Sequence, residues 1–447
     1  MPTIAIVPSD VTSKRMLAQR LGKLLIEAGH RVVMLVDVAD RAAGEQFEQR
    51  ELPIRFSPDE PGPRWRPFAL WRANRDAAAA LEPAGLASVL AEVEPDLLII
   101  DIEEYEALIL ALAAPAPPPL AALCSFFDVW PIAGLGPNDP GPAGGLADRA
   151  RGALRWPWMW FRLRVHDVKR QLASGQIDRI SVSRALARRL EVRRQFSGRQ
   201  WLHPFAPRFL PMLVCNALEL DIPHEPRPGV IHIGSLLDPV EPGAAAAIAD
   251  RDLAAVVASA RAAGRLIVLC AFGTLMTGER TALVRRIAAV AGLRPDVQFV
   301  VGTTIEGHDA VFGQLPNVYV SGWIPQRAVL TVADAALVHT GNATLHECVA
   351  ARVPMVVHPF AVNDQRRNAA RVIRHRIGEL DGGDSDDART LAARLDAVIL
   401  DEDMRRRIEE LADRVTRYER DGVAVAAVEG LLRASGDHLT DAVRSRP

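Results

Sequence analysis

Residues 337–369 read LVHTGNATLHECVAARVPMVVHPFAVNDQRRNA. An apolar, strand-like run ends at His339, a glycine follows at once, and a helical stretch begins. A second apolar run, VPMVVHP, then stops short of Asp364 and Gln365. Each junction sets polar groups where a strand gives way to a helix, and open α/β sheets bind their ligands at such junctions. Gly341 lets the chain turn closely, and Asn342 or Thr344 is placed to cap the helix that follows. The free N–H groups at a helix start, with the positive end of its dipole, suit a phosphate. His339 can add a hydrogen bond to the same anion, and Glu347, one turn on, can accept bonds from ribose hydroxyls.

The same alternation runs outward in both directions. TIAIVP precedes an amphipathic stretch from Lys14 to Ala28, Gly29 stands at the helix end, and RVVMLV is the next strand. DLLIID leads to a helix, LAALCS reads as a strand, and RISVS (179–183) reads as a strand before RALARRLEVRRQF. A second series starts at RLIVLCAFGT and continues through VQFVVGT, NVYVSGW, AALVHT and VPMVVHP. Strands separated by helices imply parallel sheets. The stretch DIPHEPRPGVIHIGSLLDPVEPG, from Asp221, is rich in proline and glycine and reads as a linker. The expected division is a first domain over 1–222, a linker over 223–243, a second domain over 244–412 and a helical segment over 413–447 that can pack back on the first. The fold class is α/β: two doubly wound, Rossmann-like domains facing a central cleft.

With 447 residues, 49% of them apolar and 24% charged, and a net charge of −2, the chain has the make-up of a globular protein. It gives no electrostatic reason to expect nucleic acid. Cys124, Cys215, Cys270 and Cys348 form no CxxC pair, which fits a reducing, cytoplasmic compartment. MPTIAIVPSD has no basic leader and reads as a strand from the start. ALILALAAPAPPPLAALC is apolar, but Pro115, Pro117, Pro118 and Pro119 break it, so it reads as helix, loop and strand rather than as a membrane span. Asp384 and Asp386 form an Asp-x-Asp triplet, for which a glycine-rich acidic loop is a simpler reading than a Mg²⁺ site.

The quoted stretch resembles the donor-binding signature of family 1 glycosyltransferases, the UDP-glycosyltransferase group, which runs His-x-Gly-x-x-Ser/Thr-x-x-Glu. The family also has a Trp-x-Pro-Gln element upstream, and a Pro, an Asp/Glu-Gln pair and an Asn-Ala downstream. This chain has Trp323, Pro325 and Gln326, then His339, Gly341, Thr344 and Glu347, then Asp364, Gln365, Asn368 and Ala369, in order and without gaps over 323–369. More thinly, LCAFGT resembles the turn that opens the family's second domain, and LLIEAGHRVVML resembles its first helix and second strand.

The resemblance implies the GT-B fold and transfer of a sugar, with inversion, from a UDP- or dTDP-sugar to a hydroxyl of a hydrophobic small molecule or lipid. It implies no metal and no cofactor beyond the nucleotide-sugar cosubstrate. Trp323 would stack on the base, with Gln326 near base and ribose. His339, Thr344 and Thr274 would face the diphosphate, Glu347 the ribose, and Asp364 with Gln365 the sugar hydroxyls. An epimerase of the same fold, or a sugar-nucleotide-binding subunit without activity, remains an alternative.

One departure concerns the general base. Many members have a Gly-His pair in the loop after the first strand, and counting back from Gly29-His30 places Ser13 and Lys14 there. A lysine ammonium, with a reference pKa of about 10.4, cannot take a proton from an alcohol at neutral pH. Carboxylates are the other candidates: Asp10 in the same loop, preferred here, and Asp101, which matches the aspartate that supports the family's His. A last feature is RWPWMWFRLRVHDVKRQ, where Trp156, Trp158 and Trp160 stand among five basic residues. It reads as an acceptor pocket or core helix, or as a peripheral contact with the inner face of a membrane.

Overall fold

The computed structural model describes residues 1–37, 47–52, 67–127, 146–174, 176–196, 205–225, 227–237, 248–272, 280–303, 311–313, 315–360, 364–383 and 387–437. Runs such as TIAIV and LLIID, apolar at nearly every position, form strands covered on both faces, as parallel sheets require.

The first sheet contains β1 (Thr3–Val7), β2 (Arg31–Val36), β3 (Glu48–Glu51), β4 (Leu97–Asp101), β5 (Leu120–Cys124), β6 (Met212–Val214) and β7 (Val230–His232). Their order is β3-β2-β1-β4-β5-β6-β7, parallel throughout. The second sheet contains β8 (Leu266–Ala271), β9 (Val297–Gly302), β10 (Val318–Ser321), β11 (Ala335–Val338), β12 (Met355–Val357) and β13 (Gly378–Leu380). Its order is β10-β9-β8-β11-β12-β13, again parallel. In each sheet the direction of winding reverses once, between β1 and β4 and between β8 and β11. Those reversals open the crevices in which doubly wound sheets hold ligands.

Alternate strand residues feed two cores per sheet. Ile4 and Ile6 join Leu21 and Leu25 of the Thr12–Glu27 helix, whereas Ala5 and Val7 face Leu86, Leu90 and Leu108. In the second sheet Val268 and Cys270 meet Ile287 and Leu391, and Ile267 and Leu269 meet Val257, Leu345 and Ile408.

The structure revises two sequence expectations. RISVS is the start of a helix, Arg179–Arg189, rather than a strand. The Asp178 carboxylate caps it by accepting from the Ser181 N–H at 3.0 Å, and Ser183 donates to the Arg179 carbonyl at 2.7 Å, so local capping overrides β-branched propensity. The stretch from Asp221 is not wholly a connector either, because β7 lies within it and pairs with β6.

The chain passes between the sheets twice. It leaves the first after β7 and returns through the Glu402–Val415, Arg417–Arg420 and Val423–Asp437 helices, the last of which buries Ala424, Val428 and Leu431 in the first domain's core. The passes touch. Glu419 Oε1 accepts from the Ser235 N–H at 3.1 Å and its hydroxyl at 2.8 Å, and the Tyr418 hydroxyl accepts from the Leu218 N–H at 3.2 Å. Gly234, at φ +85°, lies so close that a Cβ there would sit 2.6 Å from Tyr418 Cβ.

Candidate active site

β11 delivers His339 to the crevice of the second sheet, where its Nδ1 lies 3.3 Å from the Ala271 carbonyl at the end of β8. Thr340 follows with φ +60°, a left-handed conformation unusual for a β-branched residue. Its hydroxyl lies 2.9 Å from the Gln365 carbonyl, and its own carbonyl accepts from Asn368 Nδ2 at 2.9 Å. The same amide donates to Asp364 Oδ2 at 2.8 Å. The two halves of the signature stretch are thereby fastened together at a strained turn.

The Asn342–Ala350 helix begins behind this turn, with Gly341 as its N-cap residue. Contrary to the sequence expectation, neither Asn342 nor Thr344 caps it. The Asn342 amide instead donates to the Ser125 carbonyl of the first domain at 2.6 Å, and the Thr344 hydroxyl accepts from Gln326 Nε2 at 3.2 Å. Among the described residues the helix's first N–H groups thus have no side-chain cap, the arrangement that suits an anion. Gln326 also donates to Glu347, whose carboxyl burial pushes up against the opposing effect of that bond. Burial likewise raises Asp364, opposed by Asn368. Gln365 is buried, and its Oε1 accepts from the Phe360 N–H at 2.9 Å. Trp323, by contrast, is 75% exposed, an open aromatic face at the rim. Thr274, Asp384 and Asp386 lie outside the described residues.

The first sheet's crevice is lined by acids. Asp10 follows β1, is half exposed, and lies 4.0 Å from Arg179. Asp101, the last residue of β4, is 1% exposed; its Oδ1 accepts from the Glu103 N–H at 2.9 Å and its Oδ2 has no partner. Burial, reinforced by Glu103, raises its pKa to about 8. Arg179 binds both oxygens of Glu106 and reaches Glu104 at 3.2 Å. Lys14 pairs with Glu103 and stands 4.2 Å from the Phe126 ring centroid.

These two linings are joined. Besides the Asn342–Ser125 bond, Arg371 is paired with Asp221, both buried, and lies 3.8 Å from the Phe127 ring centroid. Phe127 stacks on His346 at 5.5 Å. Lys14 is near enough to Asp364 to lower its pKa. Sequence reading passed over Glu103, Arg179 and Arg371. The available signal was the density of acids in DIEEYE, which demands cations from elsewhere in the fold.

The tryptophan segment lies in the Leu146–Ser174 helix. Trp156 is 4% exposed, with the Arg367 guanidinium 5.6 Å from its ring centroid, whereas Trp158 and Phe161 stack on each other facing outward. Among the described residues no helix is long and apolar enough to cross a membrane, and no group of three or more His, Cys, Asp or Glu side chains is placed to hold a metal.

Two Rossmann-like domains with a lined crevice in each make the GT-B fold, and solved structures agree on that fold. The glycosyltransferase of kitacinnamycin superposes with a TM-score of 0.66 at 22% identity, over 97% of this chain and 99% of that one. The glycosyltransferase VinC, solved with dTDP, gives 0.60 at 16% identity over 98% and 100%. Residues 212–415 match the family model described as UDP-glucoronosyl and UDP-glucosyl transferase. The demethyllactenocin mycarosyltransferase of Streptomyces fradiae is 30% identical over 176 residues, 38% of this chain and 36% of that protein. The matched stretch thus spans about a third of that relative's length. The family model thus matches a little under half of this chain, the part that carries the signature stretch, and the similarity to UDP-glycosyltransferases rests there.

Proposed function

We propose that the protein is a metal-independent, inverting glycosyltransferase that moves a sugar from a dTDP- or UDP-sugar to a hydroxyl of a hydrophobic small molecule. Residues 244–412 take the donor and residues 1–222 the acceptor. The observation that carries this reading is the uncapped start of the Asn342–Ala350 helix, flanked by His339 and Thr344, at the crevice of the second sheet. A diphosphate placed there meets N–H donors and the positive end of the helix dipole, which stabilise the charge that grows as it leaves. No metal is needed for that step. His339 can donate to a phosphate through Nε2 while its Nδ1 faces the Ala271 carbonyl. Trp323 offers its exposed face to the base, the Gln326–Glu347 pair meets the ribose, and Asp364 with Gln365 meets the sugar.

The acceptor enters from the first domain. Its hydroxyl gives up its proton to a carboxylate of the cluster beside β1 and β4 and attacks the anomeric carbon opposite the departing diphosphate. The dTDP in the VinC structure and the similarity to a demethyllactenocin mycarosyltransferase support a dTDP-sugar donor and a small natural-product acceptor.

The test is nucleotide binding by calorimetry. The parent should bind dTDP or UDP, and His339→Ala should bind about 10- to 100-fold more weakly, the value of a lost hydrogen bond to a charged group, about 1.5–3 kcal/mol. Equal binding by parent and variant removes His339 from the phosphate site.

A further inference from the structure

Four acids, Asp101, Glu103, Glu104 and Glu106, lie within six residues at the end of β4; Lys14 pairs with Glu103, and Arg179 with Glu104 and Glu106. Arg179 is committed to the inner three-way contact with Glu106, Glu104 and Asp10. Lys14 faces the cleft. It pairs with Glu103, rests against Phe126, and its charge reaches both Asp101 on its own side and Asp364 on the other. One ammonium therefore links Glu103 to the residue proposed to hold the donor sugar.

The geometry points to Glu103 as the general base of the transfer, and to Lys14, which the sequence resemblance sets at the family's histidine position, as the cation that positions it. This rests on the glycosyltransferase reading. Neither sequence candidate meets the requirement as well. Asp101 is enclosed by protein, and with a pKa of about 8 it is mostly protonated at neutral pH. Asp10 is accessible, but its described contacts, with Glu104, Arg15 and Arg179, all run back into the first domain. Glu103 keeps a fifth of its side chain exposed and sits on the turn that opens the Tyr105–Ala113 helix, facing Lys14.

In the step itself the acceptor O–H proton passes to a Glu103 carboxylate oxygen. The acceptor oxygen bonds to the anomeric carbon, and the bond from that carbon to the diphosphate oxygen breaks, with the electron pair leaving on the diphosphate. The charged and titratable neighbours are Lys14 from the Thr12–Glu27 helix, and Asp101, Glu104 and Tyr105 on the same turn; Asp364 acts through Lys14 from the second domain.

Release of nucleoside diphosphate from dTDP-glucose and UDP-glucose, with water as acceptor, provides the assay. Glu103→Gln should lower kcat about 10²- to 10⁴-fold with the donor KM within a few-fold of the parent's. Glu103→Asp should recover part of the rate. Lys14→Met should move the acid limb of the pH–rate profile to higher pH, because a carboxylate takes up a proton more easily without an adjacent ammonium. Near-parental turnover by Glu103→Gln, or an unmoved acid limb in Lys14→Met, overturns the assignment while leaving the glycosyltransferase reading intact. Equal loss in Glu103→Gln and Glu103→Asp together with lost nucleotide binding also overturns it, since that is a structural role. A parent that binds neither dTDP nor UDP overturns the reading and this inference with it.

Discussion

Gly341 has no room for a methyl group: a Cβ there would lie 2.6 Å from His339 Nε2. Its φ of −57° and ψ of 146° are open to any residue, so the constraint is the neighbouring ring and not the backbone. Gly341→Ala should therefore push His339 aside without unfolding the protein. Its affinity for dTDP or UDP should fall toward that of His339→Ala, and its unfolding temperature should stay close to the parent's. Calorimetry and a thermal melt check the two halves, and a large drop in melting temperature would mean that the turn, rather than the ring, had given way. Thr340 is the complementary case. It holds a left-handed turn because the Gln365 carbonyl and Asn368 fix it from the far side, 25 and 28 residues on.

At the scale of elements, the Val423–Asp437 helix carries the clearest energetic consequence. Val428 is fully buried and Leu431 is 8% exposed, in a cluster with Leu21, Leu25 and strands β1, β2 and β4. Leu431→Ala should cost about 2–5 kcal/mol. Hydrogen exchange should locate the loss in the first sheet, with β8 and β11 keeping their protection, and equal loss in both sheets would contradict this packing. Much of this architecture was legible in the sequence, because long apolar runs such as RVVMLV and LLIID have a single reading in an α/β chain. The short strands at the sheet margins were not: EQRE of β3 is charged, and MLV and GEL of β6 and β13 are too brief to carry a period. RISVS failed for another reason, since its helix depends on Asp178 and on Ser183 meeting Glu106 from a distant segment. The donor-side candidates lie almost all in one contiguous motif, so a local pattern is enough to propose them together. The Lys14–Glu103 pair joins residues 89 apart, and no local pattern announces it.

At the scale of the molecule, the joint between the domains is sensitive to acid. His346 is buried against Phe127, and burial, with the Arg371 charge beside it, lowers its pKa from 6.5 to about 4. The native ring stays neutral while the unfolded chain takes up a proton below about 6.5, so stability is lost as pH falls from about 6.5 to about 4, and the difference of 2.5 units amounts to about 3 kcal/mol. Asp101, raised to about 8, acts with the opposite sign as pH changes, so the informative measurement is the difference between the parent and His346→Gln. Urea unfolding at pH 4.5 and 7 should show the variant gaining about 2–3 kcal/mol on the parent at the lower pH, and a difference independent of pH would remove this role. The two passes of chain, with Glu419 bonded to Ser235 and Tyr418 wedged against Gly234, bear on mechanics instead. A single covalent strap would leave one half free to swivel on the other. Two straps laced side by side suppress swivelling and sliding and leave bending about their common line as the soft coordinate, so the cleft widens or narrows like a hinged book and the crevices of the two sheets stay in register.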